Sequence, residues 1–239
     1  MFILALDTCD ARGSVALLRG NTLLQLEAHN TPEDYSSWLL PAVTRVLESS
    51  ALNPADIETY AVAAGPGSFT GVRVGLTTVK AWSEVYGRPI AAVSRLEALA
   101  AESTGSAPYV AAFVDARRNQ IFAAMYRREG SELLPLDEEM VIAPDKFLEF
   151  CMARSGSDKT DWVSTDPECL TQTPEWSARA ATSTDSVQKV ALLLAPRIGQ
   201  LGYRLAQQGR LTDALSLDAN YIRRSDAELF WKSTAHHGA

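Results

Sequence analysis

The chain has 239 residues, 46% of them hydrophobic and 21% charged, with a formal net charge of −7 and a pI of about 5.0. It is long enough to bury well over half of its unfolded surface without disulfide or metal staples, as one large or two smaller compact units. The acidic balance argues against an autonomous nucleic-acid binder, because phosphate contacts rest on Lys and Arg.

The N-terminal third reads as strands first. Residues 2–6 are a continuous apolar run, as a buried strand requires. Residues 14–18 follow, then Gly20-Asn21 as a hairpin signal, then a third strand over 22–28. A helix is predicted over 35–49, with Leu39, Val43, Val46 and Leu47 at helical spacing and Pro41 predicting a kink or a late start. After the Asn53-Pro54 turn come a strand at 60–64, a glycine-rich loop and a helix over 70–86 that Gly87-Arg88-Pro89 stops. A strand at 90–93 and a helix at 96–102 complete the unit, the helix headed by the capping-box spacing Ser94-Arg95-Leu96-Glu97.

Residues 103–108, rich in breakers, suggest a boundary. Beyond it the pattern restarts with paired strands at 109–115 and 120–127 and a weaker third over 131–141. A helix at 144–152, a strand at 161–164 and a long helical segment over 187–207, interrupted by Pro196, follow. The element order is a βββαβα-type unit and a shorter second copy. The expected organisation is a first lobe over 1–104, a smaller second lobe over 105–185, a C-terminal helix and extended segment over 186–225 packing back on the lobes, and a flexible tail over 226–239.

Cys9, Cys151 and Cys169 are odd in number and widely spaced, with no C-x-x-C and no zinc spacing, which suits a reducing cytoplasmic compartment. Met1 to Asp7 carries no basic leader, and its apolar run is short for a signal peptide. No stretch approaches a membrane span. The pairs Arg117-Arg118, Arg127-Arg128 and Arg223-Arg224 read as solvated or partner-facing edges, so any RNA is expected to be held by a partner.

The loop Gly65-Pro66-Gly67-Ser68-Phe69-Thr70-Gly71 carries the sharpest signal. Glycines permit unusual backbone angles and close approaches, Ser68 or Thr70 can cap the following helix, and free amides at a helix start suit an anion. The nucleotide signatures fail. Val72-Arg73 stands where a Walker A loop needs Lys-Ser/Thr, and Thr70 replaces the last glycine of a dinucleotide loop. Gly71 and Gly75 lie on one helix face, and an interior glycine costs roughly 1 kcal/mol relative to Ala. A close backbone crossing is the natural compensation, supplied either by the chain's own sheet or by a partner helix.

The run from Gly65 through Gly75 resembles the GPGSFTG-[LV]-R-[IV]-G signature of the TsaB (YeaZ) family. Three further features follow in the family's order: Ile3 to Thr8, with Cys9 where the family has Ser; Asp115-Ala116-Arg117; and Tyr221-Ile222-Arg223. The chain departs from the family at Tyr35, where many members have His, and at Gln120, where an acidic residue is common.

The resemblance implies an α/β fold of the actin-like ATPase (ASKHA, RNase H-like) class. It also implies a non-catalytic scaffold that pairs with a TsaD-like catalytic subunit and a TsaE-like ATPase to modify adenosine 37 of tRNA. The chain would homodimerise when alone and touch tRNA only through the complex. A partner interface is expected at Trp38, Leu39 and Val43 of the first helix and at Gly71, Val72, Gly75 and Val79 of the second.

Neither a catalytic residue nor a metal site is expected. His29, His236 and His237 form no H-x-x-x-H pair, and His29 reads as a surface or strand-end residue. No resident cofactor is expected either, although Asp7 and Thr8 at the end of the first strand are the candidates if a nucleotide binds. The rival reading is an actin-fold small-metabolite kinase or ATPase.

Overall fold

A computed structural model describes residues 1–30, 32–220 and 222. The expected flexible tail, the residues Tyr221 and Arg223, and the histidines at 236 and 237 lie outside the described residues.

Strands β1 (Phe2–Asp7), β2 (Ser14–Arg19) and β3 (Thr22–Ala28) form an antiparallel meander. Gly20, at φ +59°, makes the turn between β2 and β3. Strands β4 (Thr59–Ala63) and β5 (Ile90–Val93) then add in parallel beside β1, giving the order β3-β2-β1-β4-β5. β1 and β4 are almost wholly buried, which explains their unbroken apolar runs.

Helix α1 (Tyr35–Glu48) packs on β2 and β3, and α2 (Phe69–Tyr86) packs on β4 and β5. Pro41 lies inside α1 without ending it. On β4, Val62 faces Gly75 of α2, while Ala61 faces Gly202 of the C-terminal helix α7 (Ala195–Gln207). Successive strand residues point to opposite faces, so α2 and α7 cover opposite sides of the sheet. α7 sits close because it carries glycines: a Cβ at Gly202 would lie 2.7 Å from that of Ala61.

The second sheet repeats the topology. β6 (Tyr109–Asp115), β7 (Ile121–Glu129) and β8 (Glu132–Pro135) form a meander, while β10 (Thr160–Ser164) and β11 (Val187–Lys189) lie parallel to β6. The order is β11-β10-β6-β7-β8, with β9 (Met140–Ile142) also on β7. With the sheets of the two halves built alike, the fold is the actin-like α/β class, the second half having one strand more but shorter helices. The short helix α3 (Arg95–Ala100) packs on β6 and β7 and touches α7. Ala112 and Val114 of β6 join the core shared with the first sheet. Ala111 and Phe113 face a second core beneath α4 (Pro144–Ser155), α5 (Glu168–Thr171) and α6 (Pro174–Ala180).

The expected helical segment over 187–207 is in fact two elements. Residues 187–189 are a strand of the second sheet, and the helix begins at Ala195 with Pro196 in its first turn, where a missing N–H costs nothing. The weak third strand is split into β8 and β9. Among the described residues, no helix is long and apolar enough to cross a membrane.

Candidate functional site

β1 and β4 run parallel side by side, so the loops leaving their carboxyl ends emerge together, where open α/β sheets place ligand crevices. Here those two loops interlock. The Thr8 hydroxyl donates to the Gly71 carbonyl at 2.7 Å, and the Ser68 N–H donates to the Cys9 carbonyl at 2.7 Å. A Cβ on Gly67 would lie 2.3 Å from the Cys9 carbonyl oxygen, and one on Gly71 would lie 2.0 Å from that of Thr8. A Cβ on Gly75 would meet the Thr8 hydroxyl at 2.6 Å. The helical glycines thus admit the chain's own β1 loop. Ser68 caps α2 by accepting from the Gly71 N–H, and Gly65 holds φ +112° at the start of the turn.

The first residue of α3 locks this edge. The Arg95 guanidinium faces Asp7 at 3.5 Å and donates to Asp10 at 3.0 Å, and its backbone N–H donates to the Gly65 carbonyl at 2.8 Å. The other Asp7 oxygen accepts the Cys9 N–H at 3.0 Å. Tyr35 donates its hydroxyl to the Asp10 carbonyl at 2.6 Å. Burial works against the Arg95 charge, but the carboxylates of Asp7 and Asp10 outweigh it and hold the guanidinium pKa above its usual value. Burial, reinforced by Asp7, pushes the Cys9 thiol well up, so it stays neutral. Burial does the same for the Tyr35 phenol, with help from Asp7 and Asp10. Removing one member of a buried ion pair leaves an uncompensated charge, at about 3–5 kcal/mol.

The two candidate nucleotide contacts, Asp7 and Thr8, are therefore brought together with the glycine loop, but through bonds within the chain. Asp7 acts as a turn acceptor for the amide two residues on and as the counter-ion of Arg95. Asp10, a second carboxylate that would repel a phosphate, shares the same guanidinium, so the trio of two carboxylates and one arginine keeps a net negative charge.

The expected interface residues are turned inward, which corrects their assignment to a partner-facing surface. Trp38, Leu39, Val43, Val72 and Val79 are at most 6% exposed, and Gly71 and Gly75 are buried under the Thr8 loop. A helical apolar stripe is the face that seeks its own sheet. The outward rows carry other residues, among them Leu40 at 56% and Val85 at 73% exposed. His29 is a strand-end residue, directly after β3, but it is not on the surface. It is buried, with its ring nitrogens against the carbonyls of Ala11 at 3.2 Å and Glu33 at 2.8 Å, and it ties the β1 loop to the approach to α1.

A cleft of about 1490 Å³ opens beside these loops, bounded on the far side by the β6–β7 hairpin. At that hairpin Asp115 accepts the Arg117 N–H at 2.7 Å, and Arg117, Arg118 and Asn119 hold φ of 63°, 57° and 56°. Three successive left-handed residues without a glycine are uncommon. Asn220 and Ile222 line the cleft as well. The Asn220 N–H donates to the Ala64 carbonyl at 2.8 Å, and its side-chain amide donates to Glu139 at 2.6 Å. Glu139 also accepts a hydrogen bond from the Ser94 hydroxyl. Burial raises the Glu139 pKa, partly offset by these two donors.

Sequence reasoning missed Arg95, Glu139 and Asn220. For Arg95 a signal existed: it heads a short helix otherwise made of Leu, Ala and one Glu, which leaves little room for an exposed face. Glu139 and Asn220 lie 81 residues apart and carry no such signal.

A family model described as "TsaD: tRNA N6-adenosine threonylcarbamoyltransferase" matches residues 29–198. The chain is 33% identical over 169 residues to the tRNA threonylcarbamoyladenosine biosynthesis protein TsaB of Escherichia coli, covering 69% of this chain and 70% of that one. The chain belongs to the TsaB (YeaZ) family. Its likeness to the protein of the same description from Bacillus subtilis runs end to end, at 29% identity over 97% of this chain and 98% of the other. Among solved structures, YeaZ from Pseudomonas aeruginosa superposes with a TM-score of 0.73 at 25% identity, covering 92% of this chain and 99% of that one. A second P. aeruginosa structure, of an uncharacterized protein with similarity to peptidase YEAZ, gives 0.76 at 24% identity, over 93% and 99%. The likeness in fold thus spans the whole two-sheet body.

Proposed function

We propose that this chain is a non-catalytic subunit of the assembly that makes threonylcarbamoyladenosine on tRNA, pairing with a TsaD-like catalytic subunit. The observation that carries the reading is the end-to-end likeness to a TsaB protein named for that biosynthesis. The carboxyl edge of the first sheet supports the non-catalytic part. Asp7 is held by the Cys9 amide and Arg95, the Cys9 thiol is kept neutral, and His29 is spanned between two carbonyls. The groups able to do acid–base or nucleophilic work there are engaged in holding loops together.

In this role the TsaE-like ATPase and the tRNA reach the chain through the complex, since an acidic surface of net charge −7 is poorly suited to phosphate on its own. The partner meets the outward rows of α1 and α2, which carry Leu40 and Val85, and the same rows serve a homodimer when the partner is absent. The test is co-purification with a TsaD-like protein, comparing wild type with Leu40→Asp and Val85→Asp. At least one substitution weakens binding about tenfold or more, as loss of an interface anchor does. Unchanged binding by both removes these helix faces from the contact.

A further inference from the structure

We infer that a second pocket, between helix α7 and the β2–β3 turn, binds a phosphate group, which the tRNA backbone supplies in the tRNA-modifying assembly. The charge balance of the chain reverses here. Against a net charge of −7, the stretch between Asp185 and Asp213 holds Lys189, Arg197, Arg204 and Arg210 and no acidic residue. Ile198, Gly199, Leu201 and Gly202 form the buried face of α7. Arg197, Gln200, Arg204 and Gln207, three or four positions apart, therefore share its outward row. Beside this row lies a pocket of about 290 Å³, walled by these four residues with Asn21 and Tyr203 and floored by the buried Leu201. That volume is at the lower end for ligand sites and suits a single phosphate group.

Every polar side chain around the pocket can donate a hydrogen bond, and among the described residues no carboxylate lines it. Arg197 gives its Nε to Glu102 at 2.7 Å, which leaves the N–H groups at the other end of its fork. The Gln200 amide donates to the Asn21 carbonyl at 3.4 Å and joins the helix to the turn. The Tyr203 ring packs on the same turn, 3.7 Å from where a Cβ on Gly20 would stand. Among the described residues, no hydrogen bond engages the Tyr203 hydroxyl, the Arg204 guanidinium or the Gln207 amide. Two glutamates offset part of the charge: Glu102 pairs with Arg197, and Glu97 interacts with both Arg204 and Arg210. Three arginines against two glutamates leave the patch positive. Guanidinium forks and amides gathered without an acid suit an oxyanion. A tetrahedral phosphate presents oxygens to the helix row and the turn together, and the tyrosine offers a ring face to a ribose or base. An RNA held elsewhere by the assembly needs only such a local contact, even on a chain too acidic to bind RNA alone.

The RNA source rests on the proposed role of the chain; the affinity for phosphate does not. Two variants and two measurements separate them. Arg204→Met removes the cation and keeps an apolar stem, and Gln207→Glu places a carboxylate at an exposed position. Inorganic phosphate is titrated into the full chain alone at constant ionic strength, with chloride as the control, following the Arg204 Nε–H signal in proton–nitrogen correlation spectra. Phosphate is expected to shift this signal, chloride to leave it in place, and Gln207→Glu to suppress the shift while the thermal melt is retained. In the assembly with the TsaD-like subunit, tRNA binding is read by fluorescence anisotropy across a salt series. Arg204→Met is expected to weaken it about tenfold, as loss of a charge-assisted hydrogen bond does, and to lower the salt slope by about 1, with co-purification of the partner retained. Absence of a phosphate-dependent shift in the isolated chain overturns the site. A shift with unchanged tRNA affinity and salt slope overturns the RNA assignment and leaves free phosphate as the ligand. Failure of the wild-type chain to join the partner counts against the proposed role, and the titration of the isolated chain still decides the pocket.

Discussion

The two halves of the molecule end their first strands with the same local device and use it in opposite ways. Asp7 closes β1 and Asp115 closes β6. Each accepts the N–H of the residue two positions on, at 3.0 and 2.7 Å, and each faces an arginine, at 3.5 and 3.1 Å. In the first half the pair is sealed, with Arg95 and Asp7 side chains 2% and 0% exposed; in the second, Arg117 and Asp115 are 84% and 30% exposed. The difference lies in the element that succeeds the next parallel strand. After β4 comes a long helix whose glycines let the β1 loop sink against it. After β10 come only α5 and α6, of four and seven residues. The same turn is a structural lock where a helix covers it and a surface hairpin where none does.

This contrast can be broken at several points. The largest expected effect is from Arg95→Met, which leaves Asp7 buried and unpaired. Denaturant unfolding then shows a loss of about 3–5 kcal/mol, and a loss near zero would mean that the lock does not hold the fold. Gly71→Ala places a methyl 2.0 Å from the Thr8 carbonyl oxygen. It is expected to cost about 1–3 kcal/mol, the range for overpacking, read in the same unfolding experiment.

Glu139 gives a pH signature. Its carboxyl pKa is raised above 4.5 by burial, so the folded state keeps the proton longer than the unfolded chain. The stability it contributes is fully present below pH 4.5 and is lost as pH rises through the folded value. Melting temperatures of wild type and Glu139→Gln measured upward from pH 4.5 should therefore diverge, the variant losing less with rising pH. Parallel curves would show that the carboxyl does not titrate differently on folding. The smallest effect belongs to Arg117→Met. Its exposed pair is worth no more than about 1 kcal/mol, and a larger loss would show that the second hairpin is as sealed as the first.

Much of this was legible in the amino-acid sequence, and the failures have physical causes. The five strands of the first sheet and the glycine loop followed from apolar runs and punctuation. The stripe of Trp38, Leu39, Val43, Val72 and Val79 marked the right helices, but periodicity does not say whether an apolar face meets its own sheet or a partner, and the chain's own sheet took it. Gly71 and Gly75 announced a close crossing without naming the segment that crosses. That segment proved to be Thr8, 63 residues away for the Gly71 contact. Arg95 and its carboxylates are 88 and 85 residues apart, a separation that no local pattern encodes. The left-handed run Arg117-Arg118-Asn119 gave no warning because it holds no glycine. The strand at 187–189 is three residues long, too short for alternation to distinguish it from the helix after it.

The most direct test of the partner role is to reconstitute threonylcarbamoyladenosine formation on tRNA from the purified TsaD-like subunit, the TsaE-like ATPase and the threonylcarbamoyl donor, with and without this chain. The modified nucleoside, measured by mass spectrometry after digestion of the tRNA, is expected to be lost when the chain is omitted and restored when it is added back. Undiminished modification in its absence would contradict a required partner role.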